Sequence, residues 1–197
     1  MTMISDQPGN QRGSRWRVAG WGMAALLLVL PFLAMRVTDE VVWGAGDFIA
    51  FATMLGSAGG MVELAARSSG SGFYRAGAGA AVAACFLLVW VNLAVGFLGS
   101  EDSDANLMFA GVIAVAVGGS IVAHFKAAGM SKAMIAAAVA QALVGTIGLA
   151  AGLAAPGPDG VYEVLLGTTL FGGLWLLSAA LFSQAAKQAD NGSHQPE

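Results

Sequence analysis

The chain carries little charge. Asp, Glu, Lys and Arg make up 11% of its 197 residues, against roughly 25% in ordinary soluble domains. A water-soluble fold of this length needs far more polar surface than that. Cysteine is nearly absent too. The one example, Cys85, excludes an intrachain disulfide and any cysteine-rich metal centre. It sits in an apolar run, where a small thiol packs as a hydrophobe. Of the two histidines, His194 falls in a polar tail, so His124 has no second ring with which to hold a haem. Basic residues form no cluster and the net charge is −3, which leaves no electrostatic footprint for nucleic acid. There is no Ser-His pair, H-E-x-x-H, C-x-x-C or phosphate loop. The expectation is a protein that is no enzyme and carries no cofactor.

What is there is apolar and rich in glycine. The apolar fraction is 57%, and 28 residues are glycine, about twice the usual ~7%. No collagen-like period accompanies them. Close helix packing is the natural use, because small residues let membrane helices approach. A helix crosses the ~30 Å hydrocarbon layer with about 20 mostly apolar residues. Six runs meet that length: 18–36, 47–66, 76–98, 106–125, 133–154 and 162–185. The first is too long for a signal-peptide core and no A-x-A site follows it. The expected fold is all-α: one six-helix transmembrane bundle over 18–186, flanked by polar, mobile tails at 1–17 and 187–197. Pro31 predicts a kink in helix 1.

Charge placement gives a direction. Arg12, Arg15, Arg17, Arg67, Arg75, Lys126, Lys132 and Lys187 fall on one side of these spans, and only Arg36 falls on the other. By the positive-inside rule both termini are cytoplasmic. Eight of the twelve acids lie at the opposite, outer side. Trp16, Trp21, Phe73 and Tyr74 then belong to the inner interface, and Trp43 and Tyr162 to the outer one.

A repeat runs through the spans. Asp47, Gly59-Gly60 and Arg67 recur 59 positions later as Asn106, Gly118-Gly119 and Lys126. Helix 6 has its own Gly172-Gly173 at matching depth. Three tandem helical hairpins, 1–2, 3–4 and 5–6, describe this most simply. Parallel repeats of that kind occur in transporters and in any duplicated bundle.

Three features carry chemistry on paper. The outer stretch GSEDSDANLMF, 99–109, gathers Glu101, Asp102 and Asp104. D-x-D-x-N opens a calcium loop, but Leu107 replaces the required glycine and Ile113 the closing glutamate, so an EF-hand is excluded. Either a looser Ca²⁺ or Mg²⁺ site remains, or these acids cap helix 4 and complement its dipole. Glu63 is the one carboxylate well inside a span. It shares a helix face with Gly56, Gly60 and Arg67, which makes it either an i,i+4 partner of Arg67 or an inward-looking functional acid. Asn92, Gln141 and Thr146, with Thr53, Ser57, Ser120, Thr168 and Thr169, are the polar groups within the spans. They bond between helices or line a path, for which Glu63, Asn92, Gln141 and Thr146 are the candidates. His124, near the end of helix 4, suits a cap or the interface. Mid-span Trp90 and Trp175 fill space opposite glycines.

The stretch VNLAVGFLGSEDSDANLMFAGV, 91–112, resembles a segment of small bacterial inner-membrane proteins through its G-S-E-D-x-x-x-N-L-M pattern. The resemblance covers a tenth of the chain. It implies the bacterial inner membrane and no particular activity. The sequence thus leads to a small multi-pass protein that aids passage of a small solute or cation, or else to an accessory or scaffold subunit of a larger membrane complex. Its expected partners are the lipid bilayer and either further copies of itself or another membrane protein. The small-residue faces Gly56/Gly60 and Gly148/Gly152 suit both.

Overall fold

The computed structural model describes residues 9–100 and 102–193. Six long helices follow one another: α1 (Gly9–Ala34), α2 (Ala45–Ser68), α3 (Gly72–Ala94), α4 (Met108–Val122), α5 (Ala127–Ala150) and α6 (Pro158–Ser193). A short 3₁₀ turn, Asp104–Leu107, leads into α4. No strand forms among the described residues. All six, with α4 taken together with its 3₁₀ turn as Asp104–Val122, are long and apolar enough to cross a membrane, which is the build of a multi-pass membrane protein.

Several boundaries differ from the sequence expectation. Residues 9–17 and 187–193, expected as tail, are helical, while 1–8 and 194–197 lie outside the described residues. Helix α1 runs through Pro31 and ends three residues later. Helix α3 stops at Ala94, four residues before the apolar run does. Gly96 takes φ of +75° there, a left-handed turn that glycine adopts at no steric cost.

The chain divides into two compact units, the first ending at Leu64 and the second beginning at Ala65. In the first, the Trp21 ring of α1 lies over Gly59 of α2, where an added methyl would meet it at 3.2 Å. One helical turn on, Arg17 Nε bonds Glu63 Oε1 at 2.9 Å. At the start of α2 the Gly44 N–H donates to Asp47 Oδ2 at 2.8 Å, one half of a capping box. Trp43 packs edge-on against Phe48 and Phe51, at 5.2 and 5.5 Å between centroids.

The second unit is a four-helix bundle in which successive helices are antiparallel. Its main interfaces are α5 with α6, α3 with α6 and α4 with α5. Helices α3 and α4, expected as a hairpin, touch only lightly. The buried positions read as a 3-4 repeat. On α3 they include Tyr74, Gly77, Ala81, Ala84 and Leu88. On α5 they include Met134, Ala138, Gln141, Gly145 and Gly148. On α6 they include Phe171, Trp175, Ser178, Phe182 and Ala185. That spacing is the knobs-into-holes seam of left-handed packing. The opposite faces are bulkier. Along α5, Ile135, Val139, Leu143 and Ile147 recur every four residues and are all exposed. On α5, then, mostly small residues point in and large aliphatic ones out, as at helix contacts held by close approach rather than by water exclusion.

Glycine marks the closest crossings. A methyl added to Gly119 would lie 2.8 Å from the Ala133 Cβ, and one at Gly77 would lie 3.2 Å from Phe182. Gly60, Gly118, Gly172 and Gly173 have nothing within 4 Å of such a methyl. Of the expected Gly-Gly contacts, then, only Gly59 and Gly119 are close-packed. Gly148 meets the Leu98 side chain, while Gly152 faces open space, so Gly148/Gly152 is not a helix-crossing pair. Gly152 instead takes φ of +66° and ends α5: its N–H donates to the Leu149 carbonyl and the Leu153 N–H to Gly148, a Schellman motif.

Candidate functional site

The acid-rich loop before α4 is organised by an amide, not by its acids. Asn106 Oδ1 accepts from the backbone N–H of Phe97 and of Leu98, at 2.8 and 2.9 Å. Its Nδ2 donates to the Ser100 carbonyl at 2.7 Å. These three bonds fold residues 97–100 back over the bundle's acidic end. Leu98 is fully buried there, and the Phe97 ring packs against Phe109 and Phe171 with centroids 5.1 and 5.6 Å away. Asp102 and Asp104 are exposed, and neither the 3₁₀ turn nor α4 has a side-chain cap bond. The expected hydrogen-bonded acid cap on helix 4 is thus not formed by these residues. Glu101 lies outside the described residues. Among the described residues no three His, Cys, Asp or Glu side chains gather as a metal site.

The opposite, basic end holds an open cleft of about 650 Å³. Ser69, Ser71, Tyr74, His124, Phe125 and Gln188 contribute to its walls. Helix α4 ends here in a second Schellman motif, with Phe125 N–H on the Ser120 carbonyl and His124 N–H on Ile121. His124 and Phe125 both hold positive φ, +49° and +56°, although neither is glycine. Tyr74 secures the turn by donating its hydroxyl to the Phe125 carbonyl at 2.8 Å. His124 therefore serves as a cap, as its position suggested.

Between these ends lies a polar seam. Four hydroxyls in the spans satisfy themselves: Thr53, Ser120, Thr146 and Thr169 each donate to the carbonyl four residues back. Two bridge helices, Ser131 to the Ala179 carbonyl at 2.9 Å and Ser178 to the Gly77 carbonyl at 2.8 Å. Four other residues hold buried polar atoms without a partner. These are both amide atoms of Gln141, the Trp175 Nε1, the Thr168 Oγ1 and the Asn92 Oδ1. Gln141 and Trp175 are completely shielded from solvent. Asn92 is half-satisfied, its Nδ2 donating to the Leu88 carbonyl.

These groups line up. The Ser131–Ala179 bond and the packing of Gly145 against Thr168 fix the antiparallel register of α5 and α6. That register sets Gln141 level with Phe171 and Gly172, one turn from Trp175 and one turn from Thr168. On α3, the register given by Gly77 with Ser178 and Phe182 puts Asn92 one turn beyond Thr168. From Trp175 to the level of Asn92 the seam runs roughly 15 Å, at ~1.5 Å of rise per residue. In a helix, side chains lean towards the helix N-terminus, so Gln141 leans towards Trp175 and Trp175 towards Gln141.

Of the four path candidates, Asn92 and Gln141 lie on this seam and the other two do not. Thr146 is exposed, its hydroxyl turned back on Ala142. Glu63 belongs to the first unit, where Arg17 of α1 holds it. Thr168, one of the polar span residues but outside the four path candidates, and Trp175, expected only to fill space, are the other seam residues. Their signal was the 3-4 spacing of Thr168, Phe171 and Trp175 along one face of α6. No family model, no curated protein and no solved structure matches the chain.

Proposed function

We propose that the chain is a bacterial inner-membrane protein that carries a small polar solute through its four-helix unit, with both termini and the basic helix ends in the cytoplasm. One observation carries this reading: the seam of unpartnered polar atoms buried around Gln141. A buried donor or acceptor left unpaired costs about 1–3 kcal/mol. A bundle built only to pack gains nothing from that cost, and leucine at position 141 would remove it. A solute leaving water for the membrane interior must find new hydrogen bonds, and the seam offers them at depth. Transporters hold their cargo near the bilayer midplane. No catalytic step belongs to this reading.

The test is flux. Purified protein in sealed vesicles should speed the passage of a polar solute above the rate of protein-free vesicles. A second reading, an accessory subunit or an oligomer, has its own support. Gly56 and Gly60 lie four apart on α2 with open space beside both, a small-residue face of the kind that docks another membrane helix. A protein that melts normally and speeds no solute favours this second reading.

A further inference from the structure

The seam has a chemical preference, and that preference rests on the carrier reading above. Among the described residues, the buried polar side chains are Ser120, Gln141 and Ser178, none of which ionises. Arg17 and Glu63, which form an ion pair, belong to the other unit. An ion entering the seam would lose its hydration with no opposite charge to meet it, a penalty of several kcal/mol per charge. A neutral solute would lose only hydrogen bonds, and the seam can return those in kind. The Trp175 indole N–H is a donor only, and the Gln141 amide is donor and acceptor. Thr168 Oγ1 offers both and the Asn92 Oδ1 accepts.

We infer that Gln141 and Trp175 form the binding site for a small uncharged solute that carries both a hydrogen-bond donor and an acceptor, an amide or polyol rather than an ion. The site is occluded. Gln141 and Trp175 have no solvent exposure, Leu98 closes the acidic side and Phe182 the basic side, each fully buried. Phe182 is braced by Tyr74, at 5.1 Å between ring centroids and nearly perpendicular. Binding and release therefore require one end or the other to open. Selectivity lies in the pairing, because a hydrogen-bonding pocket rejects analogues that leave its groups unmatched.

The experiment uses full-length protein in vesicles, with urea as the neutral probe and K⁺ as the ionic one. Light scattering follows volume change under a urea gradient, and a potential-sensitive dye follows K⁺. Wild type should swell with urea well above protein-free vesicles and pass no K⁺. Gln141→Leu should fall to the protein-free rate while melting at or above wild type. Trp175→Phe should slow urea about two- to tenfold, the loss of one neutral hydrogen bond. Thr169→Val, off the seam, should leave both readings unchanged. K⁺ passage without urea passage would keep the carrier and overturn the neutral preference. Urea passage untouched by Gln141→Leu would keep the carrier and overturn the site. A Gln141→Leu protein that melts well below wild type would overturn the site by showing that the amide is a structural tie. No passage of either probe would remove the carrier reading itself.

Discussion

Asn106→Ala should destabilise the second unit far more than loss of the neighbouring acids. The substitution removes three hydrogen bonds at once, to the N–H of Phe97, the N–H of Leu98 and the carbonyl of Ser100. Each is worth about 0.5–1.5 kcal/mol net, so the sum is about 1.5–4.5 kcal/mol. The upper half of that range is expected, because the two N–H groups are partly buried and water does not replace the lost acceptor fully. Asn106→Asp keeps an acceptor for both N–H groups and loses only the donation to Ser100, so about 1 kcal/mol should go. Asp102→Asn with Asp104→Asn changes two exposed side chains and should move stability by about 0.5 kcal/mol or less. Thermal melting in mild detergent orders the three variants, and protease cleavage at residues 99–104 reports whether the loop has lifted. An Asn106→Ala protein that melts with wild type, beside a double-acid variant that melts lower, refutes the amide staple. If that loss also depends on added Ca²⁺ or Mg²⁺, the acids hold a cation after all.

Other expectations can be checked in the same way. Gly119→Leu should damage folding severely, since even a methyl there meets Ala133 at 2.8 Å, whereas Gly60→Leu and Gly111→Leu enter open space; comparable yields of folded protein from all three would contradict the packing described. Glu63→Gln should cost no more than about 1 kcal/mol by melting, because Arg17 is more than half exposed and such pairs are weak. His124→Gly should raise the melting temperature, since glycine relieves a left-handed residue that costs about 1–2 kcal/mol; a lower one would mean that the imidazole does more than cap. An alkaline phosphatase fused after Lys187 should be inactive if the basic ends face the cytoplasm, and an active fusion reverses the proposed topology.

The six helices were legible because spanning length is a property of runs, and a run survives errors at single positions. Gln141 was legible for a similar reason, as an amide standing in an apolar stretch. What the sequence hid depended on helix phase or on distant partners. Gly59 and Gly60 are adjacent, yet one lies beneath Trp21 and the other faces open space. Thr168 and Thr169 are equally adjacent, yet only Thr169 bonds its own helix. Phe97 and Leu98 continue the apolar run of α3 and read as span. Their leaving it depends on Gly96 at one end and on Gly148 and Gly167, some 50 and 70 residues away, which leave room for them. Asn106 stands out in the sequence as the partner of Asp47 in the repeat and as part of the D-x-D-x-N and G-S-E-D-x-x-x-N-L-M patterns, but nothing local shows that its acceptor reaches back to residues 97 and 98. Helix α6 outran its expected end because Gln184 to Asp190 is polar but made mostly of good helix formers.

The inversion of size across α5, mostly alanine and glycine inward and isoleucine, valine and leucine outward, bears on how the protein is made. Both faces are apolar, so an inserting helix has no preferred rotation towards lipid. Each span can enter the bilayer alone and be stable there before any neighbour arrives. Rotational choice comes afterwards, when close approach favours the narrow face over the broad one by dispersion and backbone proximity. Biogenesis is thereby split into an insertion stage indifferent to sequence order within a turn and an assembly stage sensitive to single methyl groups. Variants such as Gly119→Leu should accordingly reach the membrane at normal levels and be lost there, to the quality control that removes unassembled helices.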